Sequence, residues 1–488
     1  MSYPGVDFDV QAWQLLSPTD YVNPQPQSAY HLVVVGAGPA GLISAIGAAG
    51  LGAKVALVER HRMGGDCLNV GCMPSKSLLA FTEHQTNPDF NQAFEWLRQV
   101  RAGIAPHDSV ERYTDAGVDV FLGDGEFNAS GDVCVGDIVL KGRRVAICTG
   151  ARAAVPGIPG LRESDPLTNE TVFDLREKPE SLAILGAGAI GCELAQVFAR
   201  LGVRVELFEM AERVLPNESQ LASATVAAAL TAAGVTLHLG DPVQRVNGSG
   251  SIVTNNTSVT CERVLVALGR QPNTAGMNLE SAGVRVDEQG FIVSDAKLRT
   301  SNKKIFAAGD CTTRSQFTHH ADAQARALIQ NALFFPTAKV DGLIVPHCTY
   351  TYPEVASVGL SEDQLQAAGT LYEDYEIYFD ELDRTKAMPF PEDLPRAAKG
   401  HARIFTAKGK DRILGATIVG ADAGELLAPI CLLMTQDLGL SAAQRTIFSY
   451  PTRSEYLKRL GDAYNRGRMT PFVARLFQRW MALIQPRG

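Results

Sequence analysis

The hydrophobic pattern of this 488-residue chain states one design twice. His31-Leu-Val-Val-Val35 is an apolar run of strand length, which predicts a buried strand. Gly36-Ala-Gly38-Pro-Ala-Gly41 follows, small residues continue as a helix through Ala49, and Lys54-Val-Ala-Leu-Val58 is the next strand, ending at Glu59. Leu182-Ala-Ile-Leu185, the turn Gly186-Ala-Gly188-Ala-Ile-Gly191, a helix from Cys192 to Leu201 and the strand Arg204-Val-Glu-Leu-Phe208, ending at Glu209, restate it. Residues 144–150, 264–270 and 305–310 each read as a strand running into a glycine turn. From about Asp341 the pattern changes to alternating strands with two longer helical stretches. Residues 1–30 contain Pro4, Pro18, Pro24 and Pro26 but no Lys or Arg, which predicts an extended arm. The charged, proline-containing segment 371–399 is expected to cross the surface.

Each glycine turn follows a strand, opens a helix and meets an acid about 20 residues on, the full dinucleotide-binding fingerprint. Gly36 and Gly186 permit the tight turn, Gly38 and Gly188 let backbone N–H groups approach a pyrophosphate, and Gly41 and Gly191 let helix and strand pack closely. Each helix N-terminus offers partial positive charge to the phosphates. Glu59 and Glu209 are placed to accept hydrogen bonds from ribose hydroxyls. The expected fold class is α/β, with two Rossmann-like dinucleotide-binding domains. Two dinucleotide sites on one chain imply an electron relay.

Composition narrows the field. A net charge of -8 argues against nucleic acid as a partner. No apolar run is long enough to span a bilayer, and no basic residue precedes an apolar stretch at the N-terminus, so a cytoplasmic location is expected. Nine cysteines, an odd and mostly scattered number, suggest a reducing compartment with buried thiols. Only Cys67 and Cys72, in Gly64-Gly-Asp-Cys-Leu-Asn-Val-Gly-Cys-Met-Pro-Ser-Lys76, form a close pair. A metal clip would need two further ligands nearby, which are missing, so no metal site is expected. A static bridge and a redox pair remain, and position just after the first dinucleotide unit favours redox. A helix starting near Cys72 would lower a thiol pKa there.

The order of first fingerprint, CxxxxCxPSK, second fingerprint and Ala-Ala-Gly-Asp resembles the flavin-dependent pyridine nucleotide–disulfide oxidoreductases over residues 31 to about 465. That family includes glutathione reductase, dihydrolipoamide dehydrogenase and mercuric reductase. The resemblance implies FAD on the first fingerprint and a nicotinamide cofactor on the second. It implies that Cys72 makes the charge-transfer contact to the flavin and that Cys67 is the outer, interchange thiol. Lys76 and Glu193 match the family's buried ion pair, and Asp310 matches the acid that binds the ribityl chain. Thr149-Gly150 and Gly269-Arg270 match the turns leaving each cofactor unit. The implied organisation is an arm over 1–30, an FAD domain over 31–150 and 271–340, an NAD(P) domain over 151–270, an α+β dimerisation domain over 341–465 and a basic tail over 466–488. A homodimer is expected. Glu209 would repel a 2′-phosphate, and Met210, Ala211 and Glu212 follow it, so NADH is preferred over NADPH.

The chain also departs from the family. Disulfide-reducing members place a histidine before a proline near the C-terminus, with a glutamate five residues on. Here Glu455 is present but Tyr450 holds the histidine position, before Pro451. Tyrosine is a poor proton shuttle at neutral pH. Mercuric reductase shares the tyrosine, yet it carries C-terminal vicinal cysteines, and this chain has none after Cys431. The core resembles a mercuric reductase without its delivery thiols. His319 and His320, at the start of a helix after Asp310, are candidates for the missing shuttle, or for simple hydrogen-bonding roles.

In the tail, Phe472, Leu476, Trp480 and Ile484 recur every four residues, with Arg475 and Arg479 on another side. Docking on the dimer is favoured, with peripheral contact to an anionic membrane as the alternative. The leading expectation is an enzyme that passes hydride from NAD(P)H through FAD to a Cys67–Cys72 disulfide, then to a disulfide or soft-metal acceptor. The alternatives are a quinone or diaphorase-type reductase that bypasses the cysteines, and a flavin-loaded redox sensor.

Overall fold

Both glycine turns leave the middle strand of a parallel sheet. In a computed structural model, which describes residues 7–83, 85–248, 250–313, 315–390 and 396–484, Tyr30–Val35 lies between Val55–Glu59 and Gly142–Ile147. Val118–Leu122 and Ile305–Ala307 complete that five-stranded sheet at its two edges. Ser181–Leu185 likewise lies between Arg204–Glu209 and Arg263–Val266, with Val235–Leu239 outside, in a second parallel sheet of four strands. Strand order reverses beside each middle strand, and the crevice at such a switch point is where doubly wound sheets take ligands. Val33, Val34, Leu57, Ala146, Ala183 and Ile184 are fully buried, as strands covered on both faces require.

The chain divides into two compact units, residues 1–212 with 230–343 and residues 213–229 with 344–488. The first holds both parallel sheets. The second is built on an antiparallel sheet in the order His347–Thr349, Glu354–Gly359, Ile413–Gly420, His401–Ala407, Tyr372–Tyr378. Helices Ala423–Thr435, Leu440–Arg445 and Glu455–Gly467 bury Leu427, Ile430, Leu440, Tyr456 and Leu460 in its core. This is the α+β texture expected after Asp341.

Two expectations are corrected. The leader is not extended throughout, because Phe8–Leu16 is helical, with Asp7 as its N-cap. Ala12 and Leu16 enter the first unit's core, and fully buried Asp9 accepts hydrogen bonds from Arg98, Arg101 and Arg176. Acids at the cap and in the first turn suit the helix dipole, a signal that the prolines masked. The segment 371–399 does not merely cross the surface. Tyr372–Tyr378 is the sheet's edge strand, and Phe379 and Leu382 are fully buried. Its charges face outward, where Asp374 pairs with Arg403 of the neighbouring strand. Within that segment, residues 391–395 lie outside the described residues.

Candidate active site

The two glycine turns share one geometry. Gly36 and Gly186 have φ of +103° and +102°, a region that favours glycine. A Cβ at Gly41 would lie 1.7 Å from the Gly36 carbonyl oxygen, and one at Gly191 1.9 Å from that of Gly186. Helices Pro39–Gly50 and Ala189–Arg200 start at Gly38 and Gly188 with no side chain capping them, which leaves their N-termini to a phosphate. The acids clasp the turns. Glu59 accepts from the Ala37 and His61 N–H groups, both at 2.7 Å, and Glu209 from Ala187 and Ala211 at 2.8 and 3.0 Å. Burial pushes the Glu59 carboxyl up. These residues fit two dinucleotides, and they differ in enclosure. Gly65 backs the first turn so closely that a Cβ on it would lie 2.5 Å from the Gly38 Cα, whereas nothing lies within 4 Å of a Cβ at Gly188.

Gly65 also starts the short helix Gly65–Asn69 that carries Cys67, and Cys72 opens the helix Cys72–Glu83. The bend between them depends on Gly71, where a Cβ would sit 2.8 Å from the Asp66 carbonyl oxygen. Both cysteines are half-buried thiols. The hydrogen bond between them draws Cys72 down to about 6 against its burial, with help from Thr318 and Lys76. The same hydrogen bond and burial push Cys67 up. The pair therefore shares its charge unequally, with Cys72 as the thiolate. Cys72 Sγ lies 3.4 Å from Thr318 Oγ1. One turn along the helix, Lys76 Nζ donates to both carboxylate oxygens of Glu193, at 3.0 and 2.8 Å.

Arg270 gathers the remaining pieces. Its guanidinium pairs with Asp66, donates to the Ala151 carbonyl at 2.8 Å and lies 3.7 Å from Asp310. Burial raises the Asp310 carboxyl, and Arg270 opposes that rise. Asn273 stitches the Thr149-Gly150 turn, accepting from Thr149 Oγ1 at 2.7 Å and donating to the Gly150 oxygen at 2.9 Å. Gly269, at φ +109°, accepts from the Ala154 N–H, beside the two-stranded ribbon of Ala151–Ala153 and Arg270–Pro272.

The histidines separate. His320 is buried, with Nδ1 3.0 Å from the Ser315 oxygen and Nε2 3.1 Å from the Gln324 amide, whose oxygen takes the Gly309 N–H. Both of its ring nitrogens are committed, which suits a structural role. His319 is exposed, its ring stacked 5.4 Å from that of Phe317. In the second unit, Tyr450 is 70% exposed and donates to Asp383 at 2.9 Å, and that carboxylate raises the phenol pKa. Glu455 accepts from Arg459 at 3.0 Å.

Sequence reasoning missed Thr318 as the neighbour of Cys72, Asn273 as the brace of the Thr149-Gly150 turn, and the Asp9 cluster next to the cysteine-bearing helices. Arg101 links that cluster to the site by donating to the Asn69 carbonyl at 2.8 Å. Thr318 sits one position before the histidines that drew attention, and only tertiary placement distinguishes it. The Asp9 cluster had a signal, an acid within an apolar helical pattern.

The matches to known proteins follow this geometry. The family model described as pyridine nucleotide-disulphide oxidoreductase matches residues 30–325, and the family's dimerisation domain matches 345–460. The chain belongs to the pyridine nucleotide–disulphide oxidoreductase family. The mercuric reductase of Staphylococcus aureus is 33% identical over 457 residues, 88% of this chain and 81% of that one. The dihydrolipoyl dehydrogenase of Chlamydia muridarum is 33% identical over 449 residues, 88% of this chain and 95% of its own. Among solved structures, a Cu(II) complex of the HOCl-induced flavoprotein disulfide reductase RclA from Escherichia coli superposes with a TM-score of 0.81 at 28% identity, covering 90% of this chain and 100% of that one. As a member of the family, this chain is an FAD- and NAD(P)H-dependent oxidoreductase, and its dimerisation domain supports a homodimer. No described helix is long and apolar enough to cross a membrane.

Proposed function

We propose that this oxidoreductase uses NADH to reduce a thiophilic metal ion held by Cys67 and Cys72. The observation that carries the reading is the unequal thiol pair, with a stabilised thiolate at Cys72 beside Thr318 and Lys76, in a chain whose Tyr450 replaces the histidine of disulfide-reducing members. A disulfide substrate leaves as thiolate and needs a proton donor. A phenol whose pKa Asp383 raises is a weak one. A metal ion needs no proton, only two soft ligands. The names of the relatives point the same way, since they include mercuric reductases and a reductase solved with Cu(II).

In this reading Gly36, Gly38, Gly41, Glu59, Thr149, Gly150 and Asp310 hold FAD, and Gly186, Gly188, Gly191, Glu209 and Gly269 hold NADH. The enclosed first turn suits a cofactor that stays and the open second turn one that exchanges. Bound FAD supplies a two-electron link between hydride and thiol. Lys76, fixed by Glu193, keeps positive charge near Cys72. Cys67, the thiol pushed up, gives its proton to solvent as the ion binds. The overall reaction balances as Hg(II) plus NADH giving Hg(0), NAD⁺ and a proton, or as two Cu(II) giving two Cu(I) for the same hydride. His319 remains a candidate proton carrier, while Tyr450 is engaged by Asp383 and Glu455 by Arg459.

Steady-state NADH oxidation with mercuric ion, cupric ion, glutathione disulfide and lipoamide, measured side by side, tests this. Metal-dependent rates above both disulfides are expected. Brisk disulfide turnover would move the chain to the disulfide branch.

A further inference from the structure

The tail helix Pro471–Leu483, capped by Thr470, buries no residue. It begins beyond residue 460, where the match to the shared dimerisation domain ends. Its apolar positions are not a narrow seam. At about 100° per residue, Phe472, Leu483, Leu476, Trp480, Val473, Ile484, Phe477 and Met481 fill roughly half the circumference, with Trp480 near the middle. A coiled-coil seam is narrower than this arc. Phe472 is 71% exposed and Trp480 57%. Arg475 and Arg479 flank the arc on one side. After Asp462 the chain carries five arginines, no lysine and no acid, in a protein of net charge -8.

We propose that this helix is a membrane-surface anchor that lays its apolar arc into the interface of a bilayer rich in anionic lipids. The wide arc matches the shallow, unpatterned apolar layer beneath lipid headgroups. The acid-free arginine set matches anionic headgroups, which are needed to bring an otherwise acidic protein to a surface. A tryptophan at the centre of the arc sits where indole rings favour the interface. The anchor would hold the reductase at the membrane.

The test uses the full-length, FAD-loaded protein and vesicle co-sedimentation. With phosphatidylcholine–phosphatidylglycerol vesicles at low salt, partitioning is expected at least about ten-fold above that with phosphatidylcholine alone, and it should fall as salt is raised. Trp480→Glu with Leu476→Glu should abolish it, and Arg475→Glu with Arg479→Glu should lower it by about ten-fold or more. Neither pair should alter NADH oxidation with a soluble acceptor. Absence of binding, equal binding to both vesicles, or binding retained by the Trp480→Glu, Leu476→Glu protein would overturn the proposal. So would dissociation of the dimer in that variant, which would assign the arc to a second copy of the chain.

Discussion

Lys76 and Glu193 join the cysteine-bearing helix to the helix of the second glycine turn. The ammonium on the cysteine-bearing helix lies 2.8 Å from a carboxylate on the helix of the second glycine turn, and that carboxylate is 4% exposed. The two charges act on Cys72 in opposite directions, Lys76 lowering its pKa and Glu193 raising it. Neutralising each should therefore shift the thiol oppositely. Lys76→Met should raise the Cys72 pKa, and Glu193→Gln should lower it. In both, thiolate is lost as pH falls through the pKa. A pH titration of the long-wavelength thiolate–flavin absorbance in a Cys67→Ser background reads this, and shifts of the same sign would contradict it.

Asp9 sets a stability prediction. Its carboxylate is fully buried and meets Arg98 at 3.1 Å, Arg101 at 3.0 Å and Arg176 at 2.6 Å. Asp9→Ala leaves the buried Arg101 cation without that countercharge, a change that typically costs about 3–5 kcal/mol. Urea unfolding should show this loss.

Much of the site was legible because it is local. Fingerprint glycines and their acids are each set by spacing within one strand–turn–helix–strand unit, and Cys67 and Cys72 lie close in sequence on two successive helices. Lys76 with Glu193, 117 positions apart, was accessible only through family resemblance. What stayed hidden depends on tertiary placement. Thr318 reaches Cys72 across 246 positions, and Asp9 reaches its arginines across 89, 92 and 167. The edge strand Tyr372–Tyr378 was hidden by its own charges, of which Asp374 pairs with Arg403.

The paired glycine turns allow a matched experiment. Gly41→Ala puts a methyl 1.7 Å from the Gly36 carbonyl, and Gly191→Ala puts one 1.9 Å from that of Gly186. Gly41→Ala should purify with little FAD. Gly191→Ala should keep FAD yet need far more NADH, by about 10-fold or more, on the scale of about 1–3 kcal/mol for overpacking. Flavin-to-protein absorbance ratios and NADH saturation curves separate the two. Equal flavin loss in both would contradict the assignment of cofactors to turns.

Glu209 bears on the nicotinamide. Its carboxylate is oriented by two N–H groups, and Arg213 is occupied with the Pro216 carbonyl at 2.8 Å and Asp363 at 3.4 Å. Wild-type protein should favour NADH, and Glu209→Gln should narrow the preference by about 1–3 kcal/mol in kcat/KM, chiefly by improving NADPH. A wild-type preference for NADPH would reverse the reading.

The central claim is that electrons reach a metal ion through Cys67 and Cys72. The direct measurement is anaerobic NADH oxidation by wild type, Cys67→Ser and Cys72→Ser, each FAD-loaded, with mercuric or cupric ion and, separately, with a quinone. Metal-dependent oxidation should fall by about 10²-fold or more in both variants, the scale of losing a reacting group, while quinone reduction persists. Metal reduction undiminished in the Cys67→Ser protein would show that the electrons bypass the pair.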